Sequence, residues 1–522
     1  MKRKMSLKAL YIVVISIVVI ILAILGYREF SWKVTQTIMP NDKYINSDID
    51  KDTQKQLSDV EELVIQKMNA AMIPGLSVAI VKEGETVYKS GFGYADLASG
   101  KEVTSDTLFQ LGSNSKAFTA LGVFQLQKDG LIDVKDSITK YIPWLKLFYE
   151  GKETNVTIED FLHHTSGIPS NTINKIPQLD EENKDAIEKT VRMIVGLHLV
   201  NKLGDKYEYA TINYDVLGLL IEKISGITYE DYIQKYVLDP GGLSSTYMFR
   251  SQADNHEMAF GYKIGFFSPK YYKAPRYEGN KPAGYIISNA NDMAEWLKIQ
   301  LGTCISSTLD SDLVEESHKP GVETFGKEMY YAAGWNVFNN DGTEIYHGGR
   351  NPNYSSYIVF RPDDKFGVAV LCNIKSNNTM DIGESILELF VHNKKSSGII
   401  ADENIALDKV CAVIIFIAIP TLCLLIGLLI RLVFQFAAKK QKLNLTDKKQ
   451  ILKCFILLSI FLLVSIILYF LPYHLFNKAT WSFIFIWYPS TVKIALYSIY
   501  ICLALLNIYI ALKLLGKNKM IN

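Results

Sequence analysis

Cysteine is scarce, with six in 522 residues. Cys411, Cys423, Cys454 and Cys502 lie in or beside long apolar runs. Only Cys304 and Cys372 are left to meet elsewhere, so no disulfide framework is implied. An excess of charge of either sign is also missing. Lys and Arg number 55 against 54 Asp and Glu, a net of +1, which gives no footing for a nucleic-acid partner. None of the Gly-Lys dipeptides is followed by Ser or Thr, so there is no phosphate-cradling P-loop. His163 and His164 are adjacent rather than four apart and lack a carboxylate at metal-site spacing, which argues against zinc; no cofactor is indicated. There is no internal repeat.

Apolar sequence in long runs is abundant. Residues 9–26 form one such run behind Lys2, Arg3, Lys4 and Lys8, and read as a membrane anchor or a signal. The lack of a small-x-small cleavage site favours the anchor. Three more runs, 410–433, 454–471 and 494–512, each approach the ~20 residues a helix needs to cross a bilayer. Lys439, Lys440, Lys442, Lys448, Lys449 and Lys453 crowd the first break between them, and Lys513, Lys517 and Lys519 crowd the tail. Four spans then put every basic segment on the cytoplasmic side, as the positive-inside rule requires, and the large polar region outside the cell. The expected layout is an anchor or signal (1–26), a stalk (27–56), an extracytoplasmic domain (57–395), a linker (396–409) and a three-span region (410–522). The chain is expected to be a multi-pass protein of the cell membrane. Its richness in Lys, Ile, Asn and Tyr suggests a bacterial source.

Within 57–395, strand signals sit at both ends and helical patterns between. A helix is expected near 60–72 and a hairpin over 75–94, turning at Glu83-Gly84-Glu85. Strands return over 330–338 and 343–346, then 355–360 and 367–371, before an amphipathic helix over 380–391. Strands from both ends joined in one sheet imply an α+β domain.

The chemistry centres on Ser113 and Lys116. S-x-x-K occurs three times, but Ser137–Lys140 lies in a polar stretch and Ser490–Lys493 beside an apolar run. Only Ser113 opens an amphipathic helical run, where i, i+3 spacing puts hydroxyl and amine on one face. The lysine can help deprotonate the serine, an arrangement of acyl-transfer enzymes. Tyr209 is a candidate base provided a neighbouring ammonium lowers its pKa, the alternative being a packed aromatic. His347, Gly348, Gly349 and Arg350 end a strand. Glycines there permit close approach of a ligand, and a backbone N–H near Arg350 can pair with that of Ser113 to hold an oxyanion.

Six segments in order carry a resemblance. They are Phe109 to Lys116; Leu162 to Pro169, with His164, Ser166 and Gly167; Tyr209 with Tyr214 to Gly218; Pro282-Ala283-Gly284 with Asp292; Gly334-Trp335; and His347-Gly348-Gly349. Together they resemble the penicillin-recognising serine hydrolases, in the branch of class C β-lactamases and D-alanyl-D-alanine peptidases. The resemblance implies a β-lactamase/transpeptidase-like domain, an antiparallel sheet flanked by helices with an all-helical region. It implies that Ser113 is acylated, Lys116 is its proton partner and Tyr209 is the base and leaving-group acid. His347 and Gly349 stand where many relatives have Lys-Thr-Gly. One departure falls at Thr211, where the family carries asparagine. Asn213 can replace that amide only if the backbone bends differently, and a threonine hydroxyl lacks an amide's paired donor and acceptor.

The resulting expectation is a membrane-bound serine hydrolase acting on D-amino-acid amides or peptides, either from the cell wall or as N-acyl-D-amino-acid prodrugs. Its layout is similar to that of prodrug-activating D-asparaginyl peptidases, with an exporter or a cell-wall component as partner. The alternatives are a β-lactamase or esterase of the same family, or a non-catalytic cell-wall-binding or transport-associated protein.

Overall fold

The computed structural model describes residues 38–179, 185–396, 398 and 400–518. The chain divides into two compact units. Among the described residues, one comprises 38–263 and 269–402 and the other 264–268 and 403–518.

The larger unit is built on one antiparallel sheet. Its strands are β1 (Tyr44–Ile45), β2 (Gly75–Lys82), β3 (Glu85–Asp96), β4 (Lys101–Glu102), β5 (Val322–Glu323), β6 (Met329–Tyr331), β7 (Asn336–Asn340), β8 (Gly342–Asn351), β9 (Tyr354–Arg361) and β10 (Phe366–Cys372). The order is β1-β3-β2-β10-β9-β8-β7-β6-β5, with β4 on the flank of β3. The two ends of the domain meet where β2 pairs with β10, from Leu76 opposite Cys372 to Lys82 opposite Phe366.

All seven residues of β10 are buried. An unbroken apolar run of that length is what a central strand covered on both faces calls for. Helices α1 (Lys51–Ala71) and α5 (Asn378–Val391) pack together, with α5 on β9 and β10, while α4 (Ala290–Gln300) packs on β2 and β10. Helix α4 in turn stacks Trp296 on Phe118 of α2 (Ser115–Lys128), ring centroids 4.0 Å apart. Helix α3 (Ile212–Ser225) runs beside α2 and ends at Gly226 in the left-handed conformation.

Regular structure already appears within the stalk expected over 27–56, with β1 at Tyr44–Ile45 and α1 from Lys51. Asp42 accepts hydrogen bonds from the backbone N–H of Gly91 and Ser105, and Asn41 donates to Gly93 O and Val103 O. Asp50 then caps α1 by accepting from Thr53 N. The polar residues that read as loop punctuation are thus the ties that hold this segment to β3. The strand expected over 330–338 is two strands, β6 and β7, parted where Gly334 takes φ 85°.

The smaller unit contains three helices long and apolar enough to cross a membrane: α6 (Glu403–Ala437), α7 (Lys448–Leu475) and α8 (Ser490–Leu515). Each outruns its apolar core in sequence, and α6 starts inside the expected linker. Helices α6 and α7 both pack on α8. Asp408, fully buried, accepts from Thr491 Oγ1 (2.6 Å) and from the backbone N–H of Phe266 (3.1 Å) and Phe267 (2.8 Å). Three candidate spans are found among the described residues, not four; the run expected to form the other, 9–26, lies outside them.

Candidate active site

Ser113 sits in a single 3-10 turn, Gly112–Asn114, that leads into α2. The turn is held from both sides. Ser356 Oγ of β9 donates to Leu111 O (2.5 Å) and accepts from Asn114 Nδ2 (2.7 Å). On the other side Leu111 N donates to Ile286 O (2.8 Å), and Ser115 Oγ accepts from Ile286 N (3.1 Å). Asn351 Nδ2 closes the frame by donating to Gly284 O (2.9 Å) and Gln110 Oε1 (2.7 Å).

The end of β8 presses directly on this turn. Gly112 has φ 54°, and a Cβ there would lie 2.4 Å from Arg350 N. A Cβ on Gly349 would fall 1.9 Å from Leu111 O. Neither glycine can gain a side chain without moving the nucleophile away from Arg350 N, because such separations are far inside van der Waals contact. The Arg350 side chain itself is exposed.

Lys116, in the first turn of α2, reaches back toward Ser113. Its Nζ donates to Ser113 Oγ (3.1 Å), Ala283 O (2.7 Å) and Thr211 Oγ1 (3.3 Å). It is fully buried. Burial lowers its pKa to about 7, against the pull of the buried Asp215 carboxylate. Asp215 accepts from Asn280 Nδ2 (2.7 Å), and burial drives its own pKa well above the ordinary range. Desolvation therefore pushes both members of this pair toward their neutral forms.

Tyr209 Oη donates to Ser113 Oγ (2.9 Å), and the Lys116 ammonium nitrogen lies 5.1 Å from its ring centroid. The sequence argument required Tyr209 to have a lowered pKa. Burial instead raises it, outweighing the bond to Ser113. Burial thus favours the neutral amine and the protonated phenol, whereas a tyrosinate base would need the opposite pattern. Lys116 is the group with a neutral, proton-accepting form near pH 7, and Tyr209 keeps its proton.

His347 is buried and neutral. Its Nδ1–H donates to Gly348 O (2.9 Å), leaving Nε2 to accept from Tyr331 Oη (3.3 Å). Burial and the nearby Lys116 bring its pKa down to about 3. No positive charge therefore stands at this position.

Thr211 and Asn213 part company. Thr211, at the start of α3, bonds Lys116. Asn213 is fully buried, and a helix turning 100° per residue carries it about 200° around from Thr211. There it donates to His164 Nδ1 (2.8 Å) and accepts from Ser166 Oγ (2.9 Å). Asn213 does not replace the family's asparagine at the substrate face; it holds His164 instead.

His164 reads in sequence as part of the Leu162–Pro169 segment and as a poor metal ligand, and neither reading gives it a role. It adopts φ 57°, packs at a tilt of 40° against the Tyr209 ring with centroids 4.3 Å apart, and accepts at Nδ1 from Asn213 and from Ala210 N (3.3 Å). With Nδ1 an acceptor, the proton of the neutral ring belongs on Nε2, and the ring meets that of Tyr331 edge-on with centroids 4.7 Å apart. Burial keeps this imidazole neutral. Its sequence signal was the segment Leu162 to Pro169, but its role as the backing of Tyr209 needed the fold.

A hydroxyl bonded to a buried amine and to a phenol, on a turn pressed against a strand end, is the equipment of a serine acyl-transfer site. Comparison with known proteins agrees. The chain belongs to the Beta-lactamase family, whose profile matches residues 60–392, and it is a serine hydrolase of that family. It is 30% identical over 461 residues to Protein flp of Staphylococcus aureus (strain MW2), covering 87% of this chain and 89% of that one. That alignment is longer than the family match, so the likeness continues beyond the catalytic domain. The chain is 28% identical over 371 residues to the unguisins hydrolase ungD of Aspergillus violaceofuscus, covering 65% of this chain and 64% of the fungal protein. Among solved structures, the octameric penicillin-binding protein homologue from Pyrococcus abyssi superposes with a TM-score of 0.59 at 27% identity, covering 68% of this chain and 81% of that one.

Proposed function

We propose that this protein is a membrane-anchored hydrolase that forms an acyl-enzyme on Ser113, acting on D-amino-acid-containing amides or peptides outside the cell. The observation that carries the reading is the double contact of Ser113 Oγ, with Lys116 Nζ at 3.1 Å and Tyr209 Oη at 2.9 Å. Neutral Lys116 takes the Ser113 proton as Oγ bonds to the substrate carbonyl carbon. The resulting oxyanion is held by the N–H groups of Ser113 and Arg350. Collapse breaks the bond to the leaving atom, which receives its proton from Tyr209, and the Lys116 ammonium restores that proton. Water then repeats the sequence to release the acyl group and regenerate Ser113. With the lysines of 439–453 and those at 513 and 517 on the cytoplasmic side, the three candidate spans put this site outside, where a cell-wall component or an exporter is within reach.

A second reading, ester hydrolysis, draws on His347. A neutral imidazole offers no cation for a substrate's terminal carboxylate, and Thr211 offers no amide. Both favour substrates whose carbonyl needs little beyond the oxyanion donors. That the named relatives include a hydrolase of unguisins supports a hydrolytic role.

Intact-mass analysis of the full chain in detergent tests both readings. It would be incubated with an acyl-D-asparagine amide, a D-Ala-D-Ala peptide, a penicillin and a simple acyl ester, beside the Ser113→Ala variant. A Ser113-dependent adduct or product establishes the acyl-enzyme, and the responding compound names the class. Turnover that survives in Ser113→Ala would overturn the mechanism.

A further inference from the structure

Phe325 is 92% exposed, at the tip of the hairpin that joins β5 to β6. The hairpin is closed by its own backbone. Thr324 N donates to Met329 O (2.8 Å), Thr324 Oγ1 donates to the same carbonyl (3.2 Å), and Met329 N donates to Gly326 O (3.2 Å). The phenyl ring is therefore displayed on a fixed turn.

A lone apolar residue in water calls for no explanation. Phe325 is not alone. Its ring meets that of Tyr207 edge-on, with centroids 5.5 Å apart. Tyr207, half-buried, lies 6.5 Å from the ring of Tyr209 and 5.5 Å from that of Tyr331. Tyr209 in turn bonds Ser113 Oγ. A file of rings thus runs from the reacting hydroxyl out to solvent.

The file lies on one side of the reaction. Tyr209 carries the proton for the leaving atom, so the group attached to that atom is the one that meets the rings beyond it. Burial holds the phenols of Tyr207 and Tyr331 in their protonated forms. The rings therefore present an uncharged surface. Aromatic rings that meet edge to face or offset attract one another beyond the area they bury, which an aliphatic group of the same size does not reproduce.

We propose that Tyr207 and Phe325 form a specificity ledge for an aromatic side chain on the leaving-group side of the scissile bond. This rests on the acyl-enzyme reading above, and it narrows the D-peptide class to peptides with an aromatic residue just after the cleaved bond. Because the ledge is remote from the carbonyl, its contact is the same in the ground and transition states, and it acts on KM rather than kcat.

The probes are four acetylated D-dipeptides: D-Ala-D-Phe, the reversed D-Phe-D-Ala, D-Ala-D-cyclohexylalanine and D-Ala-D-Ala. Binding is read by ligand-observed saturation-transfer NMR on the full chain in detergent carrying Ser113→Ala, and turnover on the wild type. D-Ala-D-Phe should bind and turn over about threefold better than the cyclohexyl and reversed peptides, and about tenfold better than D-Ala-D-Ala. Phe325→Ala should raise KM for D-Ala-D-Phe about three- to tenfold, the worth of one aromatic pair, and shrink its lead over D-Ala-D-Ala. Phe325→Trp should keep that lead. Ile305→Ala, at an exposed apolar position outside the file, should leave it unchanged.

The proposal fails if no dipeptide binds at millimolar concentration, if the reversed or cyclohexyl peptide matches D-Ala-D-Phe, or if Phe325→Ala leaves the lead intact. Ser113-dependent turnover without an aromatic lead would sink the ledge and spare the acyl-enzyme. An aromatic lead in binding, with no Ser113-dependent turnover of any dipeptide, would count against the acyl-enzyme reading and leave the ledge as a binding surface.

Discussion

Strand β10 and helix α7 are both almost continuously apolar, yet every residue of β10 is buried while only Pro472 of α7 is. The same residue types serve two solvents. In the hydrolase unit, apolar side chains leave water for a packed interior, and that interior pushes Lys116 and Asp215 toward their neutral forms. In the helical unit, Leu452, Phe455, Leu462 and Ile466 face outward along α7. Such a surface is stable only where hydrocarbon replaces water. The contrast teaches that the same residue types tune charge by burial in one unit and form an outward apolar surface of membrane-spanning length in the other. Mutations should therefore separate the two.

The largest separation is expected from Ser113→Ala. Turnover should fall by about 10⁴–10⁶-fold, as when the nucleophile of a serine hydrolase is removed. Extraction of the chain from membranes should match the wild type. Equal loss of activity and membrane retention would mean the two units do not act independently. Tyr209→Phe is expected next, with acylation slowed by on the order of 10²–10⁴, read by single-turnover mass analysis. A near-normal rate would leave Lys116 to act alone.

Two arginine substitutions set the solvents against each other. Leu462 is 51% exposed on α7 and Ile305 is fully exposed in the hydrolase unit. Leu462→Arg should cost about 2.5–3.5 kcal/mol of membrane insertion, the usual penalty near a span's centre, measured by a glycosylation-mapping assay. Ile305→Arg should change thermal stability by less than about 0.5 kcal/mol. Equal tolerance at both sites would remove the case for α7 as a span.

Much of this comparison was legible in the sequence, and the reasons differ by region. Long apolar runs give away α6, α7 and α8 because a span satisfies its backbone internally and needs no distant partner. Ser113 and Lys116 were legible because one helical turn brings them together. The strands of β9 and β10 were read to within a residue or so, since Pro362-Asp363-Asp364 marks their turn. What stayed hidden depends on contacts remote in sequence. The Asn41 and Asp42 ties to β3 turn an expected stalk into ordered edge structure. Asn213 looks like a spare amide for the substrate until the first turn of α3 directs it to His164. The charge states of Lys116 and Tyr209 were illegible for the same reason: Ala283 and Thr211, which help enclose Lys116, come from segments far along the chain.

That last point yields the smallest predicted effect and the most specific. Lys116 has its pKa lowered to about 7 by burial, and only its neutral form can take the Ser113 proton. Lowering the pH below that value protonates the amine, so acylation should fall about tenfold per pH unit there, rise through neutrality and level off above it. Tyr209, held above its ordinary range, stays protonated across this window and contributes no second limb. Were Tyr209 the base, the buried phenol would ionise only at strongly alkaline pH, and the rate would keep climbing well beyond neutrality. A pH profile of single-turnover acylation distinguishes the two, because a plateau above pH 7 and a continued rise cannot both occur. Substituting Asp215→Asn sharpens the reading. Removing a carboxylate that favours the ammonium should move the inflection to lower pH, whereas a merely structural role for Asp215 would change the rate and leave the inflection where it was.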